Sequence, residues 1–144
     1  MSVEIVQNAD SSMGLRGDIT GGNGGFIPVN VAYVAGSVAT SSVFTANRNY
    51  VVQDISGRVD VVGTGGACTL SLYAAPSGTA IASGTLLHSV SYNLVGTINT
   101  KQTLTLSVVS GALNIANGSS IGYVITGTAT SAVGALTITL NPST

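Results

Sequence analysis

Few side chains in this 144-residue sequence could carry out acid–base or nucleophilic chemistry. His88 is the only histidine and Cys68 the only cysteine, so they are the candidate base and nucleophile of a Ser-His-Asp triad or a Cys-His dyad. No serine stands in a nucleophile-elbow motif. His88 falls within an apolar stretch, Leu86–Val90, and Cys68 alternates with leucines. We therefore expect an exposed or interfacial strand histidine and a small buried cysteine.

The carboxylate side chains give no stronger indication of a catalytic or metal-binding site. Asp54 and Asp60 could in principle form a glycosidase pair, but Arg58 lies between them and indicates a solvated or ion-paired cluster. Sugar-binding sites also tend to use several aromatic rings, and the chain has no Trp. Asp18 could join the other two in a calcium site, but no EF-hand or Gly-Asp repeat supports it. One His and one Cys do not make a zinc site. The sequence predicts no enzyme, metal or cofactor.

Three short motifs have simpler interpretations. The glycine cluster at 21–25 lacks the Lys-Ser/Thr of a phosphate loop, which favours a linker. The tripeptide Arg16-Gly17-Asp18 matches the sequence that integrins bind, but three-residue matches arise by chance. Asn117-Gly118-Ser119 matches a glycosylation acceptor and is interpreted as a plain turn. None of these motifs predicts a ligand.

The amino-acid composition indicates which class of partner the protein can bind. Hydrophobic residues make up 44% of the chain and charged residues only 6%, against about 25% charged in ordinary soluble domains. No apolar run approaches the length of a membrane span, and no basic patch suggests nucleic-acid binding. The first residues, Met1–Gln7, lack the regions of a signal peptide, which predicts synthesis in a cytoplasm. An uncharged surface has little repulsion to keep proteins apart, so it favours close protein contact.

The chain divides into two parts. Residues 1–25 hold four of the nine charges and end in the glycine cluster, which predicts an extended arm on a flexible hinge. The arm has no core of its own, so its apolar residues should dock on another surface. We predict that the partner-binding residues of the arm are Val3, Ile5, Val6, Met13, Leu15 and Arg16.

Residues 26–144 show the two-residue period of β-strands. Apolar residues alternate at 27–33, 68–72, 104–108, 121–125 and 136–140, and further strands are predicted at 38–45, 50–55, 58–63 and 86–95. No helical period persists over ten residues. The pattern predicts an all-β domain, a jelly-roll-like antiparallel sandwich of about eight strands with an extended N-terminal arm. Ala135–Leu140 alternates cleanly, so we expect the last strand to pair inside a sheet.

Three stretches resemble small jelly-roll proteins of tailed-bacteriophage structural modules. They are Phe44–Val52, Leu70–Ile81 and Leu113–Ile121, and the resemblance runs from Phe44 to Leu140, about two-thirds of the chain. The N-terminus lacks a recognisable signature of such proteins. The resemblance implies a capsid decoration, or cement, protein that binds the major capsid protein on the outer surface of the virion, often as a homotrimer, after synthesis in the host cytoplasm.

An alternative is a receptor- or carbohydrate-binding module of a phage head fibre or tail fibre. Jelly rolls often carry lectin sites. Four tyrosines could stack on sugars, although each falls within a predicted strand, where a core or interface position is more common: Tyr33, Tyr73, Tyr92 and Tyr123.

Overall fold

The computed structural model describes residues 25–36 and 39–144, and in this part the chain forms ten β-strands, one turn of 3-10 helix at Ile81–Ser83 and no α-helix. The strands are β1 (Ile27–Val34), β2 (Thr40–Thr45), β3 (Tyr50–Val61), β4 (Cys68–Ala75), β5 (Thr85–Leu86), β6 (Tyr92–Asn93), β7 (Lys101–Thr103), β8 (Asn114–Ile115), β9 (Ser120–Gly127) and β10 (Val133–Pro142). The described residues include no helix long and apolar enough to cross a membrane.

The strands form two antiparallel sheets. Sheet 1 has the order β1-β10-β3, with β7 and β8 both paired to the far edge of β3. Sheet 2 has the order β2-β9-β4, with β5 and β6 both paired to β4. Because each pair of short strands occupies one position, the sandwich has eight strand positions, and the chain alternates between sheets as in a jelly roll. The predicted fold class is confirmed.

The core lies between the sheets and follows from the alternation. In β10, Leu136, Ile138 and Leu140 are buried, while Thr137 and Thr139 lie between them on the other face. In β4, Leu70 and Leu72 face them from sheet 2. Each fully buried side chain of this kind contributes about 1.5–3 kcal/mol. The strand β10 lies between β1 and β3, which confirms that the last strand pairs inside a sheet.

Gly134 marks the closest approach within the core. A Cβ atom at this position would overlap the hydroxyl of Tyr33 and the carbonyl oxygen of Arg58. On β1, Tyr33 lies directly opposite Gly134 of β10, so the Tyr33 ring takes the space that a side chain at position 134 would need. A glycine at the start of β10 therefore allows a large aromatic ring into the core.

The two predicted strands at 50–55 and 58–63 are parts of one continuous strand, β3. The single strand β3 continues through Gly57, which packs against Leu136 of the neighbouring strand: a Cβ atom at Gly57 would lie 2.9 Å from the Leu136 side chain. Glycine here accommodates a neighbour and does not make a turn.

The predicted strands at 86–95 and 104–108 are wrong. The first region holds only the last residue of β5 and the two-residue strand β6, and β7 ends at Thr103. The physical reason is that the chain changes partner here. The N–H of Leu104 donates to Ile55 of sheet 1 over 2.8 Å, whereas the N–H of Ser107 donates to Leu87 over 3.0 Å. Leu87 in turn donates to Leu72 of sheet 2 over 3.0 Å.

Residues 87–89 and 105–107 therefore form a seam that joins the two sheets along one side of the sandwich. Besides the bond from Ser107, the N–H of Ser89 donates to Thr105 over 2.9 Å, and His88 bridges to Leu106. On the opposite side, β1 and β2 each have one partner strand in the described part of the chain. Pro28 lies on β1, in keeping with the restriction of strand prolines to edges.

Candidate functional site

The six predicted arm residues lie outside the described residues: Val3, Ile5, Val6, Met13, Leu15 and Arg16. Gly25, the last residue of the predicted arm, directly precedes Phe26 and the start of β1. Phe26 is exposed. Since Ile27 pairs with Leu140, the arm would begin where the first and last long strands meet. The arm and its boundary at residue 25 stay predictions.

His88 is buried, so the expected exposed or interfacial position is wrong for this chain. Only 1% of the residue is accessible to solvent. Its Nε2 atom accepts a hydrogen bond from the backbone N–H of Leu72 over 2.9 Å. The bond holds the seam to β4, so the histidine has a structural partner rather than a nucleophile.

A Cys-His dyad does not form. Cys68 is buried and free, as expected. It lies four residues before Leu72 on β4, and at about 3.3 Å per residue this separates it by about 13 Å along the strand from the backbone group that His88 contacts. The thiol and the imidazole are therefore too far apart to exchange a proton.

Asp54 and Asp60 do not form a catalytic pair either. Both lie on β3, six residues apart, a distance of about 20 Å along a strand. Glycosidases need carboxyl groups within about 10 Å of each other. Asp60 accepts a hydrogen bond at 2.7 Å from Nε of Arg58, and both side chains are substantially exposed. The predicted ion-paired cluster is thus confirmed for Asp60 and Arg58.

The tyrosines that were candidates for sugar stacking are mostly in the core. Tyr33, Tyr92 and Tyr123 are buried, and Tyr73 is half-buried. The rings of Tyr33 and Tyr92 pack edge to face with centroids 5.8 Å apart, and the Tyr33 hydroxyl donates to the Tyr92 hydroxyl over 3.3 Å. Burial, reinforced by this hydrogen bond, raises the pKa of Tyr33.

We expect Tyr33→Phe to lower the free energy of unfolding by about 1 kcal/mol, because it leaves the buried Tyr92 hydroxyl without its donor. Urea denaturation followed by circular dichroism measures the change. Tyr73→Phe on the half-buried face of β4 is the matched control and should change stability less. Equal losses in the two variants would contradict a role for the buried pair.

In the part of the chain that the structure describes, every charged side chain except Arg48 lies on sheet 1. Asp54, Arg58 and Asp60 lie on β3, Lys101 lies on β7, and Arg48 lies in the turn between β2 and β3. The strands of sheet 2 carry no charged residue. Across residues 25–36 and 39–144, no group of three or more His, Cys, Asp or Glu side chains comes together to hold a metal ion.

Apolar side chains are exposed at a loop tip and on sheet 1. Val108 and Val109 are 93% and 67% accessible, in a loop where the Val109 N–H donates to Ser107 Oγ over 3.3 Å. On sheet 1, a row of valines crosses three strands, because Val133 pairs with both Val34 and Val61. Val34 and Val61 are each about half exposed. Rows of this kind are typical of contact surfaces.

One surface hollow, about 420 Å³ in volume, has no side chain suited to catalysis. It lies beside the start of β3, against β8 and the last two residues of the chain. Its lining consists of uncharged side chains: Asn49, Tyr50, Val51, Asn114, Ile115, Ala116, Ser143 and Thr144.

Comparison with known proteins gives a likeness of fold. No protein-family model matches the chain, and neither does any curated protein. The chain is similar to a chain of the capsid asymmetric unit of cyanophage Pam1, at 18% identity and a TM-score of 0.50, covering 92% of this chain and 94% of that chain. It is also similar to a chain of the capsid of Ralstonia phage GP4, at 18% identity and a TM-score of 0.50, covering 85% of this chain and 86% of that chain. Both comparisons support the same conclusion: the chain has a two-sheet β-sandwich fold that also occurs in chains of phage capsids.

Proposed function

We propose that this chain is a structural protein of a bacteriophage virion and not an enzyme. More specifically, it is a decoration, or cement, protein that stabilises the shell from the outside by binding major capsid proteins. The observation that carries the proposal is the extent of the fold likeness, which spans nearly all of this chain and of a chain in the Pam1 capsid. A likeness along the whole length suits a chain that acts as one structural unit.

The surface chemistry supports the proposal. A shell protein must accept close contact with neighbours over a large area, and charged side chains oppose this unless each one finds a partner. Sheet 2 has no charged residue on its strands. Sheet 1 carries an exposed ion pair, Arg58–Asp60, which remains satisfied in water. The uncharged strands of sheet 2 and the valine row of sheet 1 are therefore the surfaces that suit protein contact, whereas the Arg58–Asp60 pair suits solvent.

The predicted arm supplies the attachment. Burying a few hundred Å² of its apolar surface would contribute several kcal/mol at about 25 cal/mol per Å², less the cost of ordering a flexible segment. One arm would bind weakly. A homotrimer presents three arms to the shell at once, and the resulting avidity makes attachment stable.

The alternative, a carbohydrate-binding module of a fibre, has less support. Three of the four tyrosines that could stack on sugars are in the core. A glycan array probed with the purified protein provides the check, and binding at micromolar ligand would favour the fibre module over the shell protein.

Reconstitution tests the proposal. Purified protein is added to shells assembled without it, and the particles are imaged by cryo-electron microscopy. We expect saturable binding and ordered density on the outer surface, over contacts between major capsid proteins. Density confined to a tail or fibre, or no binding to complete shells, would overturn the decoration role.

The homotrimer should be insensitive to salt. Few ion pairs are available to screen, so we expect the mass measured by light scattering to stay the same between about 0.05 M and about 1 M NaCl. Dissociation at the higher salt concentration would show that charged contacts hold the subunits together. A monomer at every concentration would contradict the trimer itself.

A further inference from the structure

His88 is at the point where the seam meets sheet 2. Its ring accepts from Leu72 of β4, its neighbour Leu87 donates to the same residue's carbonyl, and Ser89 donates to Thr105 across the seam. The histidine therefore links three segments: β4, residues 87–89 and residues 105–107. No other described side chain accepts a hydrogen bond from the backbone of β4.

The hydrogen bond fixes the protonation state of the ring. A backbone N–H can only donate, so Nε2 must be the unprotonated nitrogen, and the single ring proton is on Nδ1. Nδ1 is buried and has no described partner within good hydrogen-bond geometry, and the Val90 backbone favours the protonated ring less strongly than burial disfavours it. A second proton would have to go onto Nε2, where it would point at the Leu72 N–H. Protonation therefore breaks this link and leaves a charge in the core.

We propose that His88 is an acid-sensitive latch: its protonation releases residues 87–89 and 105–107 from β4 and opens the seam between the sheets. The seam is held by few backbone bonds and is flanked by exposed Val90 and Val108. Segments of this kind open locally at a lower free energy than central strands. The opening would expose Leu72 and Leu87 while β10 stays paired.

No charged side chain of the neighbouring segments offsets the cost of a protonated His88 in the core. The segments that hydrogen-bond or bridge to residues 87–89 are β4 and residues 105–107, and neither contains an Asp, Glu, Lys or Arg. The titratable side chains on β4 and its paired strands are Cys68 and Tyr73 on β4, Tyr92 on β6 and Tyr123 on β9, and Lys101 lies on β7, just before residues 104–107. None of them shifts the pKa of His88, which burial lowers while the backbone of Val90 acts in the opposite direction.

The direction of the pH dependence follows from the linkage between proton binding and opening of the latch. The pKa of His88 is lower in the folded protein than its ordinary value of about 6.5. The open state consequently binds more protons than the closed state once the pH falls below about 6.5. The stability of the latch is complete above that pH and is lost as the pH decreases. At pH 5, the opening equilibrium can rise by up to about 30-fold.

Nuclear magnetic resonance on the full chain tests the latch. His88 is the only histidine, so its ring signals need no assignment by mutation. We expect the Nδ1–H tautomer at pH 7.5. We also expect that amide-exchange protection, corrected for intrinsic rates, falls by about 10- to 30-fold at Leu72, Ser89 and Ser107 between pH 7.5 and pH 5. Protection at Leu136 and Ile138 should not change.

The matched variant is His88→Gln, whose side-chain oxygen can accept from Leu72 but does not titrate. Its seam amides should show the same protection at both pH values. The latch is overturned by an Nε2–H tautomer at pH 7.5, by seam protection that does not depend on pH in the wild type, or by an equal loss in the variant. If His88→Gln does not fold, the wild-type tautomer and its exchange profile decide the question.

Discussion

Deletion of residues 2–20 is expected to abolish binding to the shell and to leave the sandwich folded. The reason is a separation of tasks along the chain. The described core is built from residues 29–140, so the deletion removes none of it. The predicted arm contributes the apolar docking surface, and losing about 3 kcal/mol per subunit weakens each contact by at least about 100-fold. Co-sedimentation with shells measures binding, and thermal unfolding monitors the fold.

A full-length variant separates the contact from the length of the chain. Val3, Ile5 and Val6 are replaced together by Ser, while the control replaces Ser11 and Ser12 by Ala. The first variant should lose binding and the second should keep it. Normal binding by the truncated protein would show that the arm is not the docking segment, whereas reconstitution would still decide whether the protein decorates the shell.

Ile138→Ala is expected to lower the free energy of unfolding by about 3–4 kcal/mol, the largest effect we predict for a single substitution. Ile138 is fully buried on β10 and lies between Val29 of β1 and Ile55 of β3. The two neighbours cannot move inward without breaking the ladder, so a cavity remains. A loss of this size corresponds to a decrease in Tm of about 10 °C for a domain of this length.

The adjacent Thr137 supplies the control, because it lies on the opposite face of the same strand. Its hydroxyl donates to Asn30 on the exposed face over 3.0 Å. Thr137→Ala should cost less than about 1 kcal/mol. If the two substitutions cost the same in urea denaturation, Ile138 is not at the centre of the core.

The central strands could be predicted from the sequence because each has one buried and one outward face. In β10, apolar residues alternate with threonine over Ala135–Leu140, and β1 and β4 follow the same rule. A strand with one apolar and one polar face shows a two-residue period in its sequence. The segments at 86–95 and 104–108 have apolar residues at similar spacing, but they leave one sheet for the other. Their pairing is decided by partners that local periodicity does not reveal.

In the candidate site, too, local sequence predicted the contacts between near neighbours but not those that depend on distant partners. The ion pair of Arg58 and Asp60 was predictable because its members are two residues apart. The burial of His88 was not, because it depends on Leu72 and Leu106, which the fold brings from both directions along the chain. Histidine has no periodic signature of its own. A clue was available in Leu86-Leu87, an apolar pair next to the ring that suited a partly buried segment.

The pairing of β1 with β10 has a consequence for how each subunit matures. Val29 and Ile138 are direct partners although nearly the whole domain separates them in sequence. Contacts of such long range form slowly, since the intervening chain must first be brought into place. During synthesis, the first strand must wait until the last has left the ribosome. The base of the predicted arm is therefore anchored only in a finished domain, and incomplete chains would present that arm on an unstable support. Only completed subunits would then enter the assembly.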